Sequence, residues 1–461
     1  MDTEPKKGHP FLIVATAILI VFGLSFISWG SVSCNRVKNY DMLSGLKKNT
    51  TPQVTADEII DPELENALAE TEQLQSSSQA NDSTPTQNRP PKTFTGNTNA
   101  DGVVIFEDYT PDDGGMKHLR NALLQSNSRP VRIAVIGDSY IEGDILTMNI
   151  REMLQDTYGG AGVGYMPASS ELTGYRVSVS QKCSGWKHHE IRKNMRDDMK
   201  ILPGEYFVSE GNGQSTYNGV TNLSNLKSWN KSMVLAVAPQ GGTVTLATDT
   251  DTTTVNLESA DNLQAIILNG TTSTVSLKAS AGVEIAGVFL NNATGVSVDN
   301  MSLRGNSGQT HRKLSVERAQ QMRQYVDYDL IVVEYGINAL SSQQSDYSGY
   351  KKLMVQTIEK LKECYPNADI LMMGIGDRGQ KIDGTVQSLP TSQNMVDAQR
   401  AAAIETGVLF WDTRQAMGGE GAVVDWRSKG LINPDYIHLN AKGGKALAEL
   451  FVKALNVQIN K

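Results

Sequence analysis

The chain has 461 residues and a formal net charge of −8, with 39% apolar and 20% charged residues. That length suits about two or three domains and a large core; the acidic balance excludes the basic footprint of a nucleic-acid binder, and the apolar content excludes a wholly disordered chain. Three cysteines, Cys34, Cys183 and Cys364, are too few and too widely spaced for a disulfide framework or a zinc site.

The first element is an uncharged, mostly apolar run from Phe11 to Trp29, preceded by Lys6 and Lys7 and followed by no charge until Arg36. At about 1.5 Å per residue such a run reaches across a bilayer core. Residues 1–30 are therefore read as an N-terminal membrane anchor, with the C-terminal bulk outside the cytoplasm. Two alternatives stay open at this point: a lipoprotein acylated at Cys34, and a signal peptide cleaved at Ser31-Val32-Ser33. Residues 31–101 form a low-complexity linker rich in Ser, Thr, Asn, Gln and Pro, with an acidic stretch from Asp57 to Glu72 that has the makings of a weak helix. This segment is too polar to offset its ordering entropy and reads as a tether.

From residue 102 the pattern becomes globular. Asp112 to Gln125 predicts a helix capped by Asp112 or Asp113, with Met116, Leu119, Leu123 and Leu124 at helical spacing. Arg132 to Gly137 is a short apolar run ending on glycine, the pattern of a strand buried on both faces. Leu146 to Tyr158 again has helical spacing, so Ser139 falls on a strand-to-helix turn. Residues 102–166 are assigned to the first part of an α/β domain. Residues 167–295 instead show period-2 runs such as Thr243–Thr248, Thr254–Glu258 and Thr274–Lys278, punctuated by Gly and Asn, and predict a β-sandwich-like insertion. Residues 296–461 return to the first pattern, with apolar strands at Asp329–Gly336, Asp369–Gly374 and Gly407–Asp412 separated by helices at Tyr350–Cys364 and Met395–Thr406. Strands alternating with helices predict a three-layer α/β/α fold on a parallel sheet, with ligands at the carboxyl ends of the strands.

Ser139, Asn338, Asp377 and the region after Asp412 fall at or just past those ends, and four groups in the chain could carry chemistry. The hydroxyl of Ser139 sits where helix-start N–H groups can stabilise developing negative charge. His438, just before the last helix, can take and return the serine proton, and Asp435, three residues earlier, can fix its tautomer. Asn338, in Gly336-Ile337-Asn338, offers a side-chain amide, and the loop Arg304-Gly305-Asn306-Ser307-Gly308 offers backbone N–H groups close to a ligand.

In that order, Gly137-Asp138-Ser139, a loop glycine, Gly336-Ile337-Asn338 and Asp435-Tyr436-Ile437-His438 resemble the SGNH, or GDSL, hydrolases. The resemblance implies a flavodoxin-like α/β/α fold that hydrolyses or transfers acyl esters without a metal or organic cofactor. It makes Ser139 the nucleophile, His438 the base and Asp435 its orienter. The oxyanion hole would comprise Ser139, Gly305 and Asn338, with Gly308 a rival to Gly305. The family's usual Gly-x-Asn-Asp reads Gly336-Ile337-Asn338-Ala339 here. Gly137 to Asp144 and Met417 to Gly421 further resemble exported Bacteroidetes-type SGNH proteins with a β-rich insertion, among them peptidoglycan O-acetylesterases and O-acetyltransferases. That implies an O-acetylated polysaccharide or peptidoglycan as substrate in the periplasm or extracytoplasmic space. A second reading is transfer of the acetyl group with a membrane-bound O-acyltransferase as partner; a third is a non-catalytic glycan-binding protein.

Other conspicuous residues read as structural. Glu142 and Asp144 suit the positive end of a helix. His188 and His189 with Glu190 lack further metal ligands, because adjacent side chains diverge on either kind of element. Histidine suits acid–base work, but His311 near the Gly305 loop is read as bystander more than participant. Trp186 and Trp229 are assigned to a core in preference to sugar stacking.

Overall fold

In Pro130–Gly137, Ile133 and Val135 face one apolar cluster while Ala134 and Ile136 face another, and all four are buried. The alternation is that of a central strand covered on both sides. The computed structural model describes residues 64–69, 98–111, 114–171 and 176–461. The Phe11–Trp29 run lies outside them. Among the described residues no helix is long and apolar enough to cross a membrane.

The chain enters the α/β part with strand β1 (Glu107–Asp108), helix α1 (Lys117–Leu123), strand β2 (Pro130–Gly137) and helix α2 (Thr147–Tyr158). The expected cap of the first helix is not what starts it. Asp112 and Asp113 lie outside the described residues, and α1 begins at Lys117 after Met116, whose φ is 61° and which makes no side-chain cap. Asp108 instead accepts from the N–H groups of Thr110 and Gly115 on the approach to the helix. Within the acidic stretch of the linker, residues 64–69 are helical, and Leu64 and Ala67 are buried in the cluster that also holds Tyr350 and Leu353.

The inserted module follows as β3 (Gly164–Met166), β4 (Ser180–Glu190), β5 (Glu205–Asn218), β6 (Trp229–Ala238), β7 (Gly242–Thr248), β8 (Thr252–Leu257), β9 (Ala260–Thr272), β10 (Thr274–Ala279) and β11 (Glu284–Asn291). All of its pairings are antiparallel. The sandwich expected from the alternation is one hydrogen-bonded sheet rather than two. The reason is the length of β5, whose first half pairs with β11 and second half with β10, so that it joins what would otherwise be separate sheets. Val244, Leu277, Val234, Ile266 and Val288, from strands that are not all neighbours, share one apolar core inside it.

The chain then returns through β12 (Gly295–Ser302), α3 (Val316–Arg323), β13 (Leu330–Glu334), α4 (Ser348–Cys364), β14 (Asp369–Met373), the hairpin β15 (Gly379–Ile382) and β16 (Thr385–Ser388), α5 (Ser392–Thr406), β17 (Leu409–Trp411), α6 (Thr413–Met417), α7 (Ala422–Ser428) and α8 (Ala441–Ile459). The α/β sheet has the order β1-β17-β14-β13-β2-β12. Its other five strands are joined by four parallel pairings, and only the two-residue β1 is antiparallel, at the edge. From β2 the chain goes to β12 on one side and then to β13 on the other. The carboxyl ends of these three strands therefore border one crevice, the place where ligands bind in open α/β sheets. The loops that leave those ends carry Ser139, Gly305 and Asn338.

Candidate active site

The turn after β2 is held by Asp138. Its Oδ1 accepts from the Tyr140 N–H at 2.8 Å and its Oδ2 from Asn338 Nδ2 at 2.7 Å, which ties the turn to the loop after β13. Ser139 is left pointing at the last loop of the domain: its Oγ lies 2.9 Å from His438 Nε2. His438 Nδ1 in turn lies 2.8 Å from Asp435 Oδ2. The other Asp435 oxygen accepts from the backbone N–H groups of Ile437 and His438, at 2.9 and 3.0 Å, so the short Asp-to-His turn is self-bracing. A bridge between Ile432 and Leu439 closes the loop, and Asn440 caps α8 by accepting from Lys442 and Gly443.

The electrostatics divide the array in two. Asp435 and His438 are 43% and 28% exposed, so their ion pair is screened and contributes little to stability; its consequence is the orientation of the ring. Burial pushes the Asp435 carboxyl up, but the bonds from His438 and Ile437 outweigh it and leave the group below the ordinary carboxylate range. Asp138 behaves oppositely. Fully buried, it is pushed up to about 7 by desolvation, against the bond from the Tyr140 N–H and the attraction of His438. Glu334, the last residue of β13, is likewise buried, and desolvation and the neighbouring Asp138 hold it well above the usual range. Its Oε2 has no hydrogen-bond partner. Two buried carboxyls thus lie beneath the Ser139 turn, each pushed by burial toward its neutral form.

The candidate oxyanion donors are differently placed. Asn338 Nδ2 donates to Asp138 Oδ2 and, at 3.0 Å, to the Asn306 carbonyl, so both of its N–H bonds are engaged; its Oδ1 is buried without a partner. Gly305, with φ +73°, lies beside Arg192. The rival Gly308 has its N–H bonded to Asn306 Oδ1 and is packed so tightly on Tyr335 that a Cβ would fall 2.6 Å from the ring. Gly308 therefore shapes the loop.

The remaining residues singled out from the sequence lie outside this array. His311 is buried, bonds through Nε2 to Tyr335 Oη at 2.9 Å, and is pushed down to about 4 by desolvation, which keeps it neutral. Asp144 is buried in pairs with Arg151 and Arg176, which hold its carboxyl well below the usual range despite its burial. Glu142 pairs with Arg304. His188 and His189 point apart on β4: His188 stacks on Phe207 and bonds Glu205, while His189 stacks on Tyr206. Trp229 is a core residue bonded to Ser232, whereas Trp186 is half-buried and lines a crevice. Two contributors escaped the sequence reading. Asp138 could have been noted from its place beside Ser139, and Glu334 from being a charge at the end of an otherwise apolar strand.

Residues 278–446 match the GDSL-like Lipase/Acylhydrolase family, a range that holds Asn338, Asp435 and His438 but begins after Ser139. No curated protein sequence matches the chain. Among solved structures, "Peptidoglycan O-acetylesterase in action, 5 min" superimposes with a TM-score of 0.63 at 24% identity, covering 77% of this chain and 99% of that one, and so shares the fold. The protein YXIM of Bacillus subtilis follows at a TM-score of 0.30 and 12% identity, covering 60% of this chain and 90% of that one. An acetyl xylan esterase follows at a TM-score of 0.28 and 16% identity, covering 35% and 81%. The second part of the chain thus matches the GDSL-like lipase and acylhydrolase family, and the chain shares the fold of a solved peptidoglycan O-acetylesterase.

Proposed function

We propose that the chain removes O-acetyl groups from peptidoglycan or a related cell-envelope polysaccharide through an acyl-enzyme on Ser139. The observation that carries this reading is the continuous hydrogen-bonded array Ser139 Oγ, His438 Nε2, His438 Nδ1 and Asp435 Oδ2, at 2.9 and 2.8 Å. The peptidoglycan O-acetylesterase fold supports the choice of ester. In this account His438 takes the Ser139 proton as Oγ attacks the ester carbonyl, and Asp435 stabilises the imidazolium without becoming protonated. The oxyanion rests on the N–H groups of Ser139 and Gly305 and on the Asn338 amide. His438 then protonates the departing sugar oxygen, leaving an acetyl group on Ser139. Water, deprotonated by the same imidazole, releases acetate and restores the serine.

Asn338 joins the oxyanion hole only by sharing or exchanging one of its two present bonds. The bond to Asp138 is the one to loosen, since a neutral carboxyl accepts more weakly than a carboxylate and burial favours the neutral form. No cofactor enters these steps. The Phe11–Trp29 run, outside the described residues, would hold the enzyme at the outer face of the membrane, within reach of the glycan. The test is release of acetate from O-acetylated peptidoglycan by the wild type and by Ser139→Ala. The reading expects release by the first and none by the second; equal release by both would refute it.

A further inference from the structure

The inserted module and the α/β domain together wall a crevice of about 480 Å³ that reaches the loops carrying Ser139 and Gly305. That volume lies within the range of roughly 300–1,000 Å³ found for small-molecule sites. One wall comes from β12 and the loops after β2 and β12, including Glu142, three residues past Ser139, and Arg304, which immediately precedes Gly305. The opposite wall comes from β4 and β5 of the module.

Trp186 is the most built feature of that second wall. Its indole N–H is held between the Gln214 carbonyl and Ser215 Oγ, at 3.1 and 2.9 Å. The ring lies over Gly213, where a Cβ would come within 2.9 Å of two of its carbons. One ring face is thus pressed on the backbone and the ring is fixed, yet the residue is only half-buried and borders the crevice. Next to it His188 stacks on Phe207 with ring centroids 4.8 Å apart and planes 9° apart, and bonds Glu205 at 2.9 Å. A fixed, partly open aromatic surface is what the apolar face of a pyranose ring requires, with little ordering entropy left to lose on binding.

The charges decide what kind of ligand fits. The arginines at the crevice are each opposed by a carboxylate: Arg176 by Asp144, Arg192 by Glu190 and Arg304 by Glu142. The remaining cation, Lys193, lies 4.0 Å from Glu190, and Glu171 and Glu205 add further carboxylates to the lining, so a phosphate or carboxylate ligand would meet negative charge on most sides. A neutral polyhydroxylated ligand would not be repelled, and paired charged groups keep spare lone pairs and N–H bonds for its hydroxyl and acetamido groups.

We infer that this crevice is a saccharide subsite, in which Trp186 stacks against a neutral N-acetylhexosamine unit next to the one whose ester meets Ser139. The choice of sugar rests on the peptidoglycan reading; the geometry of the subsite does not. The module thereby acts in glycan recognition, holding the chain across the mouth of the catalytic crevice.

The experiment is calorimetric titration of chitotetraose, which carries no ester, into the full chain and into its Trp186→Ala, Trp186→Phe and His188→Ala forms. Thermal melting of each form reports its folding. Binding by wild type, about tenfold weaker binding by folded Trp186→Ala and near-retention by Trp186→Phe are expected, with His188→Ala weakened to a lesser extent. If Trp186→Ala melts early, the comparison of His188→Ala with wild type decides. No binding by wild type, or equal affinity in wild type and the alanine forms, overturns the subsite. Hydrolysis of p-nitrophenyl acetate by the same wild-type preparation reports separately on Ser139. Its absence would count against the esterase reading while leaving the titration to judge the subsite.

Discussion

Gly444, near the start of α8, lies against Ile145, six residues past the candidate nucleophile: a methyl group at 444 would fall 2.3 Å from the Ile145 carbonyl oxygen. At its neighbour Gly443 an added methyl group would fall 2.0 Å from the Leu431 carbonyl oxygen. The two glycines let α8 dock on the loop after Ser139, and that docking carries His438 to within hydrogen-bond distance of the serine. Gly444→Ala should push the helix start away. Such overpacking costs about 1–3 kcal/mol, and small misplacement of a reacting group costs up to about a hundredfold in rate. Thermal melting together with kcat on p-nitrophenyl acetate should therefore show a lowered melting temperature and a kcat reduced by at least about tenfold. Unchanged kcat in a destabilised variant would mean that the helix does not position His438.

Asp435→Asn should separate orientation from packing. The carboxylate is about half exposed, so its loss should leave the melting temperature nearly unchanged. An amide in its place offers the His438 ring no fixed acceptor, and kcat should fall by roughly 10²–10⁴-fold. Steady-state kinetics and a melting curve on the same sample check both halves.

Asn338→Ala should do both kinds of damage. It removes an oxyanion donor, worth roughly 10²–10³ in kcat. It also leaves Asp138 Oδ2 and the Asn306 carbonyl without their partner, at about 1–3 kcal/mol for a buried group. Loss of stability with full kcat would assign Asn338 to structure alone.

Glu334→Gln tests the buried acid pair. Glu334 and Asp138 are both held above their ordinary range, chiefly by burial. The folded state therefore binds more protons than the unfolded state, and the pair lowers stability progressively as pH rises above the unfolded carboxyl values. Asp144 and Asp435, held below the usual range, are ionised in both states near neutrality and contribute no slope there. Removing one acid should let the melting temperature of Glu334→Gln gain on that of wild type between about pH 5 and about pH 8. Parallel curves would show that the pair carries no excess proton.

The strands of the α/β sheet were legible because burial on both faces demands continuous apolar runs, and Leu330–Val333 and Ile133–Ile136 have them. The place of Ser139 on a strand-to-helix turn was legible for the same reason: a run that ends on glycine marks where the chain leaves the sheet. Less could be read where long-range contacts decide. The joining of the module into one sheet depends on β5 pairing two strands more than fifty residues downstream, a contact that alternation does not encode. The first helix starts at Lys117 and not at an Asp cap because Asp108 takes over the turn's N–H groups. The engagement of Asn338 by Asp138 is a meeting of residues 200 apart, visible only once β2 and β13 lie side by side. Trp186 and Trp229 read alike in sequence, and what parts them is Gly213, which lets one indole lie at the edge of a crevice while the other closes a core.

The central claim is that Ser139 carries the acetyl group. Mass spectrometry of the protein quenched during turnover of p-nitrophenyl acetate tests it most directly. The account predicts one acetyl group on the peptide containing Ser139, absent in Ser139→Ala, which should also lose turnover. Turnover without that adduct, in which Ser139→Ala remains fully active, would contradict it.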